Sequence, residues 1–114
     1  MIFIVVKWAI RPECSDQWLT LVDEFTRGTR AEPGNLFFEW SRSVEDPNVF
    51  VLVEAFADAA AGAAHVQSGH FKAAMTVLPD AVASTPEIIN VEIPGAAGWS
   101  QMAEVTPRGR PGDG

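Results

Sequence analysis

The segment VFVLVEAF, at residues 49–56, is apolar on both of the faces that a β-strand presents. A half-buried strand alternates apolar and polar residues, whereas a strand covered on both sides is apolar throughout. The segment IFIVVKWAI, at residues 2–10, has the same character. We therefore expect a sheet that is covered on both faces. Glu54 lies within VFVLVEAF, and a buried carboxylate needs an ionic partner, a proton or a cavity.

The order of apolar segments and turn signals predicts six elements, β-α-β-β-α-β. Strands are expected at residues 2–10, 36–43, 49–56 and 87–93, and Asp46-Pro47-Asn48 is a hairpin signal between the middle two. A first helix is expected from a cap at Ser15 or Asp16 to about Arg30, because its apolar residues follow helical spacing. A second helical region is expected at residues 59–78, capped by Asp58 and interrupted at Ser68-Gly69.

This order is the split βαβ, or ferredoxin-like, unit of α+β proteins. It places the first strand of an antiparallel four-stranded sheet between the third and the fourth, with the second strand outside. Both helical regions cover one face of that sheet. The other face is apolar but uncovered, and large exposed apolar faces mark interfaces. We therefore expect a homodimer in which two such sheets pack face to face.

Length, charge and cysteine content narrow the possible classes. The 114 residues suit one domain, predicted at residues 1–93, followed by a Gly/Pro-rich tail at residues 94–114. The net charge of −7 argues against nucleic-acid or anionic-membrane partners. The N-terminal apolar run has no basic leader and is broken by Lys7, so we expect a cytoplasmic protein without a membrane span. The single cysteine, Cys14, excludes an intrachain disulfide.

No tight metal-ligand spacing connects the two histidines and the cysteine, so the sequence predicts no metal site. No Gly-rich phosphate loop follows a strand, which gives nucleotide or flavin binding no local support. We therefore expect a protein that works without a metal or an organic cofactor.

The possible partners of Glu54 depend on strand register. Side chains alternate between the two faces of a strand, and the first and third strands are neighbours in this fold. Lys7, on the first strand, is therefore expected beside Glu54. Within the hairpin, one register places Glu39 opposite Glu54 and makes a carboxylate pair. A shift of the register by one residue places Trp40 opposite Glu54 and Arg42 diagonally across from it, which makes an ion pair between Arg42 and Glu54. The sequence leaves both registers open.

His65 follows Ala61 and Gly62 by four and three residues, so its helix face carries little bulk. This arrangement predicts either close helix–sheet packing or an open space beside the imidazole. A neutral histidine in an apolar pocket can accept a proton from a phenol near neutral pH.

Residues 30–73, RAEPGNLFFEWSRSVEDPNVFVLVEAFADAAAGAAHVQSGHFKA, resemble the antibiotic biosynthesis monooxygenase family. The similar features are the Ala-Glu-Pro-Gly turn, the pair Phe38-Glu39, the Asp-Pro hairpin, the sequence Glu54-Ala55-Phe56, and the two histidines. The resemblance covers about residues 1–93. It implies a dimeric α/β barrel, and it points to cofactor-free oxidation of hydroquinones or anthrones to quinones with O2.

Under this hypothesis a small aromatic substrate binds between the sheet and the second helical region. His65 removes the phenolic proton, and Glu54 orients or stabilises the imidazolium. The candidate substrate-binding residues are Phe38, Trp40, Phe56, Met75, Lys7, Arg42 and His70.

Two alternatives stay open at this point. One is a cyclase or isomerase acting on a similar aromatic substrate in the same barrel. The other is a non-enzymatic, stress-associated dimer that binds a small ligand, in which Glu54 and His65 have structural roles.

Overall fold

The computed structural model describes residues 1–109 and residue 112. Its sheet has four antiparallel strands in the spatial order β2-β3-β1-β4, which confirms the predicted α+β, ferredoxin-like class. The strands are β1 (Ile2–Ala9), β2 (Asn35–Arg42), β3 (Val49–Phe56) and β4 (Glu87–Glu92). Each lies within two residues of its predicted bounds.

The helices lie on one face of the sheet, as expected. They are α1 (Trp18–Leu21), α2 (Asp23–Arg30), α3 (Ala59–Gln67) and α4 (Gly69–Val77), with 3-10 turns at Pro12–Gln17 and Leu78–Asp80. None of the helices in the described residues is both long enough and apolar enough to cross a membrane.

The prediction of a single helix after the first strand is wrong in detail. Ser15 does not cap it, because the Ser15 hydroxyl donates to Oδ1 of Asn48 at 2.7 Å and ties the 3-10 turn to the β2–β3 hairpin. The chain leaves helical geometry at Val22, where φ is −96° and ψ is 7°. The Val22 amide nevertheless donates to Trp18 O at 3.0 Å, and the Thr26 amide donates to Val22 O at 2.8 Å. Helices α1 and α2 therefore form one bent helical stretch.

The second helical region is divided where the sequence predicts. Asp58 caps α3, its side chain accepting from the Ala61 amide at 2.8 Å. Ser68 is extended and caps α4, its hydroxyl accepting from the Phe71 amide at 3.2 Å. The interruption is thus a capped helix start, and it separates His65 on α3 from His70 on α4.

The core lies between the sheet and the helices. The side chains that alternate toward the helices are buried, namely Ile4, Val6, Trp8, Phe38, Phe50, Leu52 and Phe56. The opposite face is half-exposed at Phe3, Val5, Val51 and Val53. Within residues 1–109, the helices therefore cover one side of the sheet only. The expected homodimer, which would cover the other side, stays a prediction.

Part of the C-terminal tail packs on this uncovered face. The Trp99 ring lies 5.1 Å from the ring of Phe37, measured between centroids, although Trp99 stays 71% exposed. The predicted tail at residues 94–114 includes residues 110, 111, 113 and 114, which lie outside the described residues.

Candidate functional site

The hairpin register places Phe38 opposite Glu54, so both registers considered from the sequence are wrong. The amide of Ser43 donates to Val49 O at 2.9 Å, which closes the hairpin one residue earlier than a Val44–Val49 pair would. Glu39 consequently lies opposite Val53 on the uncovered face. Neither the carboxylate pair nor the ion pair with Arg42 is formed.

Lys7 does not lie beside Glu54 either. It pairs with Val51 and is exposed on the uncovered face, and the residue opposite Glu54 on β1 is Ile4. Arg42 stays at the hairpin, where Nη2 contacts Oδ1 of Asp16 at 2.9 Å and Nε donates to Pro47 O at 2.6 Å. These two cations are therefore held apart from the buried carboxylate.

Glu54 is buried between the sheet and the helices and is only 5% exposed. Desolvation by burial raises the pKa of its carboxyl group from 4.5 to about 7, and the nearby charge of Glu32 adds to this shift. Its Oε1 atom lies 3.9 Å from Nε2 of His65, which is too long for a hydrogen bond. Below about pH 7, a proton therefore accommodates the buried carboxyl group, which forms no ion pair with Lys7 or Arg42.

His65 projects from α3 into an aromatic environment and is 4% exposed. Its ring centroid lies 4.8 Å from that of Phe56, 5.1 Å from that of Phe71 and 5.8 Å from that of Phe25. The sequence predicted either close packing or an open space beside the imidazole. Close packing therefore applies to most of the His65 ring. Only the edge that carries Nε2 faces Glu54.

Glu32 determines which nitrogen of His65 carries the proton. Its Oε2 atom lies 2.8 Å from Nδ1 of His65. Because a carboxylate accepts hydrogen bonds, Nδ1 is the donor in this contact, and in the neutral ring Nε2 keeps its lone pair. The same Oε2 atom lies 2.6 Å from Nε2 of His70. One carboxylate oxygen therefore binds both histidines.

The sequence reasoning missed Glu32 as a functional residue. The residue belongs to the Ala-Glu-Pro-Gly turn, which was interpreted as a helix end because of Pro33 and Gly34. The signal was present, because this turn is one of the features that carry the family resemblance. What sequence did not supply was the position of the turn beside α3.

Two glycines allow this close approach. A Cβ added to Gly34 would collide with the Cβ of Ala61, so the turn that carries Glu32 lies directly against α3. A Cβ added to Gly28 would lie 2.7 Å from Cγ of His70, so the His70 ring packs on the backbone of α2. Larger residues at either position would displace a member of the histidine–carboxylate cluster.

A cavity of about 300 Å³ lies between the sheet and helices α3 and α4. Its polar lining residues are Glu54, His65 and Asn90, and its other walls are mainly apolar, among them Leu52 and Met75. A cavity of this kind, apolar with a few convergent polar groups, is typical of a small-molecule site. The two catalytic candidates from the sequence are thus brought together at its wall.

Most of the predicted wall residues lie elsewhere. Phe38 and Phe56 are buried and do not line the cavity, and Trp40 donates from Nε1 to Thr26 Oγ1 at 2.9 Å. His70 lines a separate cavity of about 110 Å³. Among the seven candidate substrate-binding residues, only Met75 lines the cavity that contains Glu54 and His65.

In the part of the chain that the structure describes, Glu32, His65 and His70 also form a group that could hold a metal ion. Each offers one ligand atom, and these three atoms lie within 4.8 Å of one another. The spacing of ligands along the sequence does not reveal this cluster, because one ligand comes from a turn 33 residues before His65.

Comparisons with known proteins agree with the fold and the resemblance. The sequence profile of the family described as antibiotic biosynthesis monooxygenase matches residues 1–77. A Bacillus subtilis (strain 168) protein named "Putative monooxygenase YcnE" is 24% identical over 93 residues, which cover 82% of this chain and 98% of that protein.

Two solved structures illustrate the similarity of fold. An antibiotic biosynthesis monooxygenase is 26% identical, with a TM-score of 0.75, 82% of this chain covered and 98% of that one. Rv0793 from Mycobacterium tuberculosis is 18% identical, with a TM-score of 0.77, 85% of this chain covered and 98% of that one. At 18% identity the second similarity concerns the fold alone.

Proposed function

The chain belongs to the antibiotic biosynthesis monooxygenase family, and we propose that it oxidises a hydroquinone- or anthrone-type aromatic substrate with O2, without a metal or an organic cofactor. Family membership and the name of the Bacillus subtilis relative support a general monooxygenase-like function. The substrate class and the cofactor-free mechanism are the proposal, and they rest on the site.

The main support for this proposal is the contact of 2.8 Å between Nδ1 of His65 and Oε2 of Glu32. It holds the imidazole with its unprotonated Nε2 on the side of Glu54 and the apolar cavity. A carboxylate that fixes the tautomer and orientation of a histidine base is a recurrent arrangement in enzymes. Glu32 therefore takes the orienting role that the sequence hypothesis gave to Glu54.

In the proposed reaction the phenolic hydroxyl of the substrate donates its proton to Nε2 of His65. The resulting anion is electron-rich and transfers electrons to O2. From an anthrone, one oxygen atom enters the product as a quinone carbonyl. From a hydroquinone, it enters at a ring carbon as the hydroxyl group of a hydroxyquinone. In both cases the other oxygen atom leaves as water with the two hydrogens lost by the substrate. The protein contributes desolvation, orientation and base catalysis.

Glu54 is proposed to bind the substrate oxygen together with His65. An oxygen atom at about 2.8 Å from both Oε1 of Glu54 and Nε2 of His65 fits their separation of 3.9 Å. A protonated Glu54 donates to that oxygen, whereas an ionised Glu54 stabilises the imidazolium. Its position at the cavity wall supports a role in contact with substrate.

The proposed assembly is a homodimer in which the uncovered sheet faces form a dimeric α/β barrel. Exposed apolar residues of the edge strand β4, Ile89 and Val91, continue the half-exposed surface of Phe3 and Val5. A contiguous apolar surface of this kind marks a protein interface. Analytical ultracentrifugation over a concentration series checks the assembly, and monomer alone at micromolar protein would contradict it. The proposed folded unit is residues 1–93.

The function is tested by oxygen uptake in chelator-treated, flavin-free buffer with a panel of hydroquinones and anthrones. We expect uptake above autoxidation for wild-type protein and its loss in His65→Ala, once circular dichroism shows that the variant is folded. Uptake that is unchanged in folded His65→Ala would contradict the assignment of the base. Substrate rearrangement without oxygen consumption would indicate a cyclase or isomerase instead.

A further inference from the structure

Three potential metal ligands from different segments of the chain meet beside the substrate cavity. Glu32 comes from the turn after α2, His65 from α3 and His70 from α4, and their nearest ligand atoms lie within 4.8 Å of one another. Imidazole nitrogen and carboxylate oxygen are usual ligands of divalent transition metals, Zn²⁺ above all. We propose that Glu32, His65 and His70 form a binding site for a divalent transition-metal ion, and that occupancy of this site switches the His65 base off.

The ligand atoms are close to the positions that an ion requires. Bond lengths of about 2.0–2.1 Å to Zn²⁺ place neighbouring ligands of a tetrahedron about 3.3 Å apart. The contacts of Glu32 with His65 and His70, at 2.8 and 2.6 Å, must therefore open by roughly half an ångström. Glu32 lies in a turn, and the His70 side chain is 23% exposed, so small side-chain rotations accommodate the change. Water takes the fourth position.

The site has an approach other than the substrate cavity at His70, whose side chain is 23% exposed. His70 lines the separate cavity of about 110 Å³, together with Glu24 and Phe25 of the first helical stretch. An ion that enters from this side meets His70 before it meets the more buried His65. We therefore expect metal binding to compete little with substrate for space.

Metal binding changes the tautomers of both histidines. In the ion-free arrangement, Nδ1 of His65 and Nε2 of His70 donate to Glu32. A metal ion needs the lone pairs of these same two nitrogens. Each ring stays neutral, and its proton moves by exchange with water to the other nitrogen of that ring. Nε2 of His65 then carries a proton on the side of Glu54, whose Oε1 atom must approach by about 1 Å to accept it, as carboxylates do in many histidine–metal sites.

The regulatory consequence rests on the proposed function. If Nε2 of His65 is the base, an ion on Nδ1 places a proton on Nε2 and removes its lone pair. Zinc is then expected to lower the turnover number without a matching change in KM. The binding site itself is independent of this consequence and is tested separately.

The test is a titration of chelator-stripped, tag-free protein with ZnCl₂, followed by isothermal titration calorimetry. We expect one ion per chain for wild-type protein and at least about tenfold weaker binding for Glu32→Gln and His70→Asn, because each variant loses one ligand. Cys14→Ser is the matched control: it removes the only thiol, which lies in the Pro12–Gln17 turn, and we expect wild-type affinity.

A second measurement uses wild-type protein alone. Co²⁺ in a tetrahedral nitrogen–oxygen site gives visible absorption bands far stronger than those of the hydrated ion, and we expect such bands at one equivalent. No binding of Zn²⁺ at micromolar concentration, or equal affinity in the two ligand variants, would overturn the site. These outcomes leave the metal-free oxygen-uptake result unaffected, and a failed uptake experiment leaves the calorimetry unaffected.

Discussion

Oε2 of Glu32 lies 2.8 Å from Nδ1 of His65, although 33 residues separate the two along the chain. Their contact depends on the glycine at position 34, whose missing side chain lets the turn lie against Ala61 of α3. The pair determines which nitrogen of His65 faces the cavity. The proposed chemistry therefore depends on the packing of a turn against a helix, as much as on the reacting groups themselves.

Glu32→Gln tests this relationship directly. The amide can donate to Nδ1 as well as accept from it, so the ring loses its single preferred tautomer. We expect oxygen uptake to fall by at least about tenfold. In ¹⁵N NMR of the histidine rings, Nδ1 of His65 should be protonated in wild-type protein and only partly so in the variant. Glu45→Gln, at an exposed position of the β2–β3 hairpin, is the control, and an equal loss in both variants would contradict the account.

Gly28→Ala should destabilise the fold because its Cβ would lie 2.7 Å from Cγ of His70. We expect a loss of about 1–3 kcal/mol in the free energy of unfolding, as for other overpacked sites. Gly62→Ala is the matched control, since no atom lies within 4 Å of its added Cβ. Removing a glycine from a helix interior stabilises a protein by about 0.5–1 kcal/mol. Urea denaturation measures both, and effects of the same sign would contradict the packing argument.

Glu54 should make stability depend on pH between about 4.5 and 7, because its pKa is raised from 4.5 to about 7 in the fold. In this range the folded protein keeps a proton that the unfolded chain has released. The contribution of Glu54 to stability is therefore full below about pH 4.5 and is lost as the pH rises to 7. The total is up to about 3 kcal/mol.

Glu54→Gln cannot ionise, so the difference in unfolding free energy between wild type and this variant isolates the effect. We expect the variant to gain stability relative to wild type as the pH rises from 4.5 to 8. Urea denaturation at a series of pH values measures the difference. A difference that is constant across this range would mean that Glu54 titrates normally in the folded protein.

Met75→Trp should interfere with substrate binding, because Met75 lines the cavity of about 300 Å³. The indole fills part of the space between the sheet and α4, and we expect KM to rise by about tenfold. Thr76→Trp places the same side chain one residue further along α4, at an exposed position outside this cavity. Steady-state kinetics should show no change in KM for that control. A similar rise in both variants would place the substrate elsewhere.

The sequence predicted the fold well because the local patterns agree with the tertiary structure. The apolar run of β3 was identified at its observed bounds, Val49–Phe56, Asp58 was identified as the cap of α3, and the interruption at Ser68-Gly69 marked the division between α3 and α4. The order of these elements leaves few ways to form one antiparallel sheet. Strand order therefore followed from element order.

The details of the site depend on contacts that no local pattern contains. The hairpin closes at Ser43 rather than Val44, and this shift of one residue moves Glu39 to the opposite face. The alternation of β1 likewise places Lys7 on the uncovered face. His65 was found because its residue type is informative in an apolar region. Glu32 was not predicted, because its role comes from the close packing of Gly34 against α3 and of Gly28 against α4.

The most direct test of the central claim follows both atoms of ¹⁸O₂ during turnover of an active anthrone by chelator-treated protein. The account predicts one labelled atom in the quinone and one in water for wild-type protein, and no labelling above the autoxidation blank for folded His65→Ala. Hydrogen peroxide formed in proportion to the oxygen consumed, or labelling that persists in His65→Ala, would contradict it.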